Sequence, residues 1–314
     1  MALRIAFCGT PAFAVPSLRY LIAQPEFHIE AVVTQPDRPR GRGQEMATSP
    51  VKEAALAAGI PVFQPEKIRA EEALDFFKRL APDVVAIIAY GQIISQRLID
   101  IPRLGWINLH ASLLPKYRGA APINWAIVNG ETRTGVTTMQ IDAGLDTGPM
   151  LLKYETEIGA DETAPELMSR LAEAGAPLMA ETLRGLDRGA IQAVAQDSSQ
   201  ATFAPQLKKE DGRIDWSLDA QTIYNRMRGL HPWPGAFTLF RGKSCHIWGK
   251  PLRPVAAGGP PGIMLPTQED GLLVICGGST VLRVEALQLE GRKRVTDAEF
   301  MNGARLVPGE RFGG

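Results

Sequence analysis

Asp83-Val84-Val85-Ala86-Ile87-Ile88-Ala89 decides the fold. After Asp83 no polar residue interrupts the run, so neither side of it is suited to water, and such runs belong to parallel strands covered on both faces. The amphipathic stretch at 70–80 reads as a helix leading into it. Toward the N-terminus, Arg4-Ile5-Ala6-Phe7-Cys8 is a second buried strand, ending in Gly9-Thr10-Pro11. A helix over 13–22, a strand over 29–34 and a long polar loop over 35–44 follow. This alternation predicts an open, doubly wound, mostly parallel α/β sheet.

Further on, Thr163-Ala164-Pro165-Glu166 has the spacing of a capping box and opens a helix whose apolar stripe is Leu167, Leu171, Ala174 and Leu178. Pro177 is expected to kink or split that helix. After the polar stretch 196–206 the pattern changes to one helix (217–228) and short strands at 236–240, 244–248, 272–276 and 281–287. Short strands separated by Gly and Pro suggest a small barrel or sandwich. The boundary falls near residue 207, and neither side contains an internal repeat.

Composition narrows the function. With 45% hydrophobic and 22% charged residues among 314, disorder, collagen and coiled coil are excluded. The 34 basic and 34 acidic side chains cancel, which leaves no overall electrostatic case for a polyanion. Divided at residue 207, however, the first part carries 19 basic and 23 acidic residues and the second 15 and 11. No apolar run is long enough to span a bilayer, and the N-terminus enters a strand without a signal-peptide pattern. Cys8, Cys245 and Cys276 read as small buried hydrophobes in a reducing compartment, so the expected location is cytoplasmic.

The turn after the first strand, Gly9-Thr10-Pro11-Ala12-Phe13, lacks the glycine spacing that seats a dinucleotide, and no phosphate-cradling G-x-x-x-x-G-K loop is present. Hydride transfer and nucleotide hydrolysis are therefore set aside. Asn108 and His110, two apart in Gly105-Trp106-Ile107-Asn108-Leu109-His110, point to one side of an extended strand. A carboxamide donates to an oxygen gaining charge, and an imidazole moves protons near neutral pH, which together suit acyl transfer. The other reading is a strand-end polar pair satisfied by nearby loops. The partly apolar loop from Ser112 to Pro122 suits a flat heteroaromatic ligand, and Asp142 and Asp146 lie in a glycine-punctuated acidic loop. That pair alone would also fit glycosidase or metal chemistry, but Asn108 and His110 favour acyl transfer. His28, His110, His231 and His246 form no metal-ligand spacing, so no metal is expected.

Ile107-Asn108-Leu109-His110-Ala111-Ser112-Leu113-Leu114-Pro115-Lys116-Tyr117-Arg118-Gly119, with Gly144-Leu145-Asp146-Thr147-Gly148, resembles the signature of the folate-dependent formyltransferases. Those enzymes carry a formyl group from 10-formyltetrahydrofolate to an amine. Gly9-Thr10-Pro11-Ala12-Phe13, Val33 to Pro39 with Gly41-Arg42-Gly43, Arg213-Ile214-Asp215-Trp216 and Pro232-Trp233-Pro234-Gly235 extend the likeness over essentially the whole chain. They resemble the branch of that superfamily that formylates initiator Met-tRNA in translation initiation. The resemblance implies a Rossmann-like catalytic domain with a tetrahydrofolate site over 1–207, and an OB-like β-barrel domain that binds tRNA over 208–314. It further implies a monomer.

By that resemblance Asn108, His110 and Asp146 are the catalytic trio. Ser112, Leu113, Leu114 and Pro115 match the tetrahydrofolate-binding segment, and Ile88, Tyr90 and Gly91 are weaker candidates for the pterin pocket. Arg38, Arg40 and Arg42 sit in a loop resembling the one that engages the acceptor end of the tRNA, with Arg42 between two glycines that allow close approach. Lys208 and Lys209 head the basic residues of the second part that suit phosphates. Trp233 and Trp248 are expected in the core of that domain, with an RNA-stacking platform as the other reading. Other acceptors, glycinamide ribonucleotide, an amino sugar or water, remain open, because the same trio would serve them. A tetrahydrofolate- or RNA-binding protein without catalysis would have no need of the trio.

Overall fold

The computed structural model describes residues 2–40, 45–252 and 258–313. Two compact units arise: Met1–Pro122, Arg133–Glu157 and Glu166–Pro205 form one, and Ile123–Thr132, Ile158–Pro165 and Gln206–Gly314 form the other.

The first unit holds strands β1 (Leu3–Gly9), β2 (Phe27–Val33), β3 (Arg38–Arg40), β4 (Glu45–Ala47), β5 (Val62–Phe63), β6 (Val84–Ile88), β7 (Trp106–His110), β8 (Arg118–Gly119), β9 (Arg133–Gln140), β10 (Met150–Glu157) and β11 (Phe203–Ala204). Its helices are α1 (Val15–Ile22), α2 (Pro50–Ala57), α3 (Glu71–Leu80) and α4 (Gln96–Ile99); α5 (Pro122–Val128) belongs almost entirely to the other unit, and α6 (Ala164–Asp187) to this one. The main sheet runs β10-β9-β7-β6-β1-β2-β5. Pairs among β7, β6, β1, β2 and β5 are parallel, while β9 is antiparallel to both β7 and β10. This is the doubly wound, mostly parallel sheet expected, and all five residues of β6 are buried, as a strand covered on both faces requires.

From β1 the chain winds to β2 on one side and later to β6 on the other, so the order reverses between β1 and β6. Ligands of such sheets gather in the crevice at the carboxyl ends there. Gly9 closes β1 at that crevice; a Cβ on it would lie 2.9 Å from Ala14 Cβ and 3.0 Å from the Ile88 carbonyl oxygen, so only glycine lets the following turn pack this closely.

Two local expectations change. The polar loop after β2 contains the β3–β4 hairpin, with Arg38 opposite Ala47 and Arg40 opposite Glu45. Asp37 anchors its base, accepting from Lys52 Nζ (2.5 Å) and Gln64 Nε2 (2.9 Å). Pro177 does not split α6, which runs unbroken over 24 residues. The proline lies on the exposed side with Glu173, so water can serve the carbonyl that loses its helical donor. On the opposite side Gly175 lets α6 approach β7, since a Cβ there would lie 2.5 Å from Leu109 Cδ2.

In the second unit an antiparallel half-barrel runs β12 (Phe237–Phe240), β13 (Lys243–Pro251), β16 (Val281–Leu289), β15 (Leu272–Ile275) and β14 (Met264–Pro266), with β17 (Val295–Thr296) added to β16. It wraps a core to which α7 (Ala220–Gly229) contributes Ala220, Ile223 and Met227, and α8 (Asp297–Ala304) contributes Phe300. The core tryptophan is Trp216, which donates to Thr238 Oγ1 (3.0 Å) and stacks on Phe312. Trp233, expected in the core, is 57% exposed: it sits in a turn between Pro232 and Pro234, outside the strands and helices whose inner faces make the core. Trp248 is half-buried, because Cys245 and Ile247 take the inner positions of β13 and alternation leaves His246 and Trp248 outside. Arg294 lies 4.0 Å over the Trp248 ring.

Segment 158–165 is fixed to this unit by Tyr224 Oη on Asp161 (2.6 Å), Lys250 on Asp161 (3.0 Å) and the buried Arg228 guanidinium on the carbonyls of Gly159 and Glu162 (3.1 Å each). With Glu131, Asp161 and Glu162 counted in, this unit carries 15 basic and 14 acidic residues, so the charge asymmetry seen along the chain is largely lost in space.

Candidate active site

β7 presents Asn108 half-buried and His110 buried at its carboxyl end, with Ile107 and Leu109 packed to the other side. His110 Nε2 lies 2.9 Å from the Tyr117 carbonyl oxygen. A carbonyl only accepts, so Nε2 carries the proton, and in the neutral ring Nδ1 then holds a lone pair. That lone pair faces Asp146 Oδ2 at 3.6 Å, too far for a direct hydrogen bond. Two acceptors therefore converge on one small space. The Asn108 carboxamide has no hydrogen-bond partner among the described residues, which leaves both of its N–H groups available on the same strand face.

Asp146 reaches this position through a loop built for it. Asp142 accepts from Gly144 N (3.0 Å) and Thr147 Oγ1 (2.7 Å), so this second acid ties the turn together. Asp146 itself has φ +51°, in the left-handed region. Its Oδ2 accepts from Gly119 N (2.8 Å), and its main-chain oxygen accepts from Gln196 Nε2 (2.8 Å). Arg118 donates to Gln196 Oε1 through Nε (3.0 Å) and Nη2 (2.8 Å). Arg118 lies within the formyltransferase-like stretch 107–119, but Gln196 stands in a polar stretch without periodicity, where no sequence signal marks it.

Ser112 to Pro115 form a tight turn fastened to β9 and β10. The Ser112 hydroxyl is buried and donates to the Lys116 carbonyl (2.6 Å), Thr137 Oγ1 donates to the Ser112 carbonyl (2.7 Å), and Lys153 Nζ donates to the Leu114 carbonyl (2.6 Å). Leu114 is buried, whereas Leu113 and Pro115 are half-buried. At the crevice between β1 and β6, Ile88 and Tyr90 turn their side chains into the core, and Gly91 is exposed with φ +86°. Thr10 Oγ1 and Gln35 Nε2 donate to the Tyr90 carbonyl at 3.3 and 3.0 Å, so main chain and amides, rather than the phenol, line that edge.

Arg38 is exposed on β3, Arg40 occupies its end, and Arg42 lies outside the described residues. Lys208 and Lys209 are exposed where the chain enters the half-barrel. Lys209 lies close enough to His246 to help depress its protonation, after burial, which is the larger cause. Among the described residues no group of His, Cys, Asp and Glu suits a metal, and no helix is long and apolar enough to cross a membrane.

The fold is that of a formyl transferase: residues 3–183 match the formyl transferase family and residues 206–305 its C-terminal domain family. A sugar 3N-formyl transferase solved in the presence of dTDP and 5-N-formyl-THF shares the fold, with a TM-score of 0.66 at 17% identity over 93% of this chain and 100% of that one. The methionyl-tRNA formyltransferase of Solibacter usitatus (strain Ellin6076) is 56% identical over 99% of both chains. That of Geobacter sulfurreducens is 51% identical over 99% of this chain and 97% of its own. This chain belongs to the methionyl-tRNA formyltransferase family.

Proposed function

We propose that this chain transfers the formyl group of 10-formyltetrahydrofolate to the amino group of methionine on initiator Met-tRNA, in the cytoplasm and as a monomer. One observation carries the chemistry: an unpartnered carboxamide and two convergent proton acceptors stand together at the end of β7.

When the amine attacks the formyl carbon, the carbonyl oxygen gains negative charge, and Asn108 donates to it there. The attacking nitrogen becomes acidic as the carbon–nitrogen bond forms. Its proton falls into the space between His110 Nδ1 and Asp146 Oδ2, where both partners accept. The tetrahedral carbon then expels the folate nitrogen, which leaves as an amine after taking up that proton. The amine must be neutral to attack, and His110 must be neutral to accept.

The donor fits the first unit: Ser112 to Pro115 supply a preformed turn with apolar contact from Leu113, and residues 88–91 offer their main chain at the crevice. Residues 1–207 are the catalytic domain in this reading, and residues 208–314 hold the tRNA. Arg38 and Arg40 on β3, with Arg42, Lys208 and Lys209, contact its phosphates. Phe237, His246 and Trp248 beneath Arg294 give the half-barrel an aromatic and cationic outer face of the kind nucleic acids stack on. The test is formyl transfer from 10-formyltetrahydrofolate to Met-tRNA, run beside glycinamide ribonucleotide, an amino sugar nucleotide and water. Preference for any of the last three overturns the acceptor.

A further inference from the structure

Gln196 meets Asp146 at its main chain and not at its carboxylate, and its side chain makes four hydrogen bonds that gather around that loop. Oε1 accepts from Arg118 Nε and Nη2 at 3.0 and 2.8 Å, and Nε2 donates to the main-chain oxygens of Asp146 and Gly148 at 2.8 Å each. The amide has only one workable orientation, since a flip would set N–H groups against a guanidinium and an oxygen against two carbonyls. Arg118 is itself 5% exposed, and its amide donates to the Thr202 carbonyl (2.9 Å), so the support under Gln196 is rigid. The next residue, Gly119, donates from its N–H to the Asp146 carboxylate (2.8 Å). Residues 118 and 119 thus grip Asp146 at both ends, directly at the carboxylate and through Gln196 at the main chain.

We infer that Gln196 is a positioning residue: with Arg118 behind it, it holds the peptide of Asp146 in the left-handed conformation that brings the carboxylate to His110. Left-handed backbone is unfavourable for a residue with a Cβ and persists only where the surroundings impose it. Without the Nε2 donor, two adjacent loop carbonyls lose their partner and the peptide is free to relax, moving Asp146 Oδ2 away from His110 Nδ1. The inference rests on the reading of Asp146 as one of the two proton acceptors.

Two variants separate positioning from mere support. Gln196→Leu removes both functions, whereas Gln196→Glu keeps an acceptor for Arg118 and removes the donor to Asp146 and Gly148. Both are expected to lower kcat by about 10- to 100-fold, the scale of a misplacement near 1 Å, with KM for 10-formyltetrahydrofolate and Met-tRNA within about threefold. In combination with Asp146→Asn, Gln196→Leu should cost nothing further, because the group it positions is already gone. Wild-type kcat in Gln196→Glu, full additivity in the double variant, or loss of cooperative unfolding in both single variants overturns the inference. If Asp146→Asn itself retains activity, the reading of Asp146 fails instead, and the two failures are distinguishable.

Discussion

His110 faces Asp146 across 3.6 Å with its Nδ1, while its Nε2 is committed at 2.9 Å to the Tyr117 carbonyl. The protein has used one ring nitrogen to fix the tautomer and left the other beside a carboxylate. Asp146→Asn keeps an acceptor for Gly119 N and takes away the carboxylate. Single-turnover formylation should slow by about 10²–10⁴-fold, the range for losing a positioned acid or base, with folate binding little changed. A rate within a few-fold of the parent would remove Asp146 from the proton path.

Asn108 offers its carboxamide with no competing partner among the described residues, so its whole donor capacity is free for the formyl oxygen it is proposed to meet. Asn108→Ala should lower kcat by about 10²–10³-fold, as for other oxyanion donors, and leave the unfolding midpoint nearly unchanged. Parental kcat would mean that the formyl oxygen is stabilised elsewhere.

Much of this was legible in the chain because it depends on short-range patterns. β6 followed from its unbroken apolar run, and the shared face of Asn108 and His110 from the two-residue period of a strand. What escaped depends on partners far along the chain. Gln196 meets Asp146 fifty residues away, and nothing near Gln196 records it. The net +4 of the C-terminal stretch shrinks because Glu131, Asp161 and Glu162 fold into the same unit, so the case for RNA there rests on local cations and aromatics. Trp233 misled because its size suggests a core, whereas the turn that holds it faces outward.

Tyr90 is 2% exposed, and its hydroxyl has no hydrogen-bond partner among the described residues. Burial, and after it the nearby Cys8, pushes its phenol pKa well above the ordinary range, so the hydroxyl keeps its proton. An unpaired buried hydroxyl is a cost, so Tyr90→Phe should leave urea stability unchanged or raise it by up to about 1 kcal/mol. KM for 10-formyltetrahydrofolate should not move if only the main chain at Tyr90 meets the folate. A rise of tenfold would place the hydroxyl in the site.

Asp219 caps α7, accepting from Gln221 N, Thr222 N and Thr222 Oγ1 at 2.9, 3.0 and 2.6 Å. The Thr222 hydroxyl first, then the backbone amides, hold its carboxyl below the usual range despite some burial. A lowered folded-state pKa gives stability that is fully present above the unfolded value, about 3.9, and is lost as pH falls through the folded value. Asp219→Ala should therefore cost about 1 kcal/mol at neutral pH. The gap between variant and parent should close below pH ~4. A gap that persists undiminished in strong acid would show that the cap does not act through its charge.

Gly144 and Gly148 bracket Asp146, and their surroundings differ in a way that sets the size of each effect. A Cβ on Gly144 would lie 2.0 Å from Thr147 Oγ1, the end of a side chain that can rotate. A Cβ on Gly148 would lie 1.8 Å from the Gln140 carbonyl oxygen, part of the β9 main chain, and only displacement of the loop relieves that. Such displacement also breaks the Gln196 bond to Gly148 and withdraws the support of Asp146. Gly148→Ala should lose about 10²-fold or more in kcat, as expected for a misplaced catalytic group, while destabilising the fold by about 1–3 kcal/mol. Gly144→Ala should lose much less, because Thr147 can yield, although its bond to Asp142 is then weakened. Steady-state formylation with matched urea melts checks the contrast, and equal losses in the two variants would mean that the loop moves as one flexible piece rather than being pinned at Gly148.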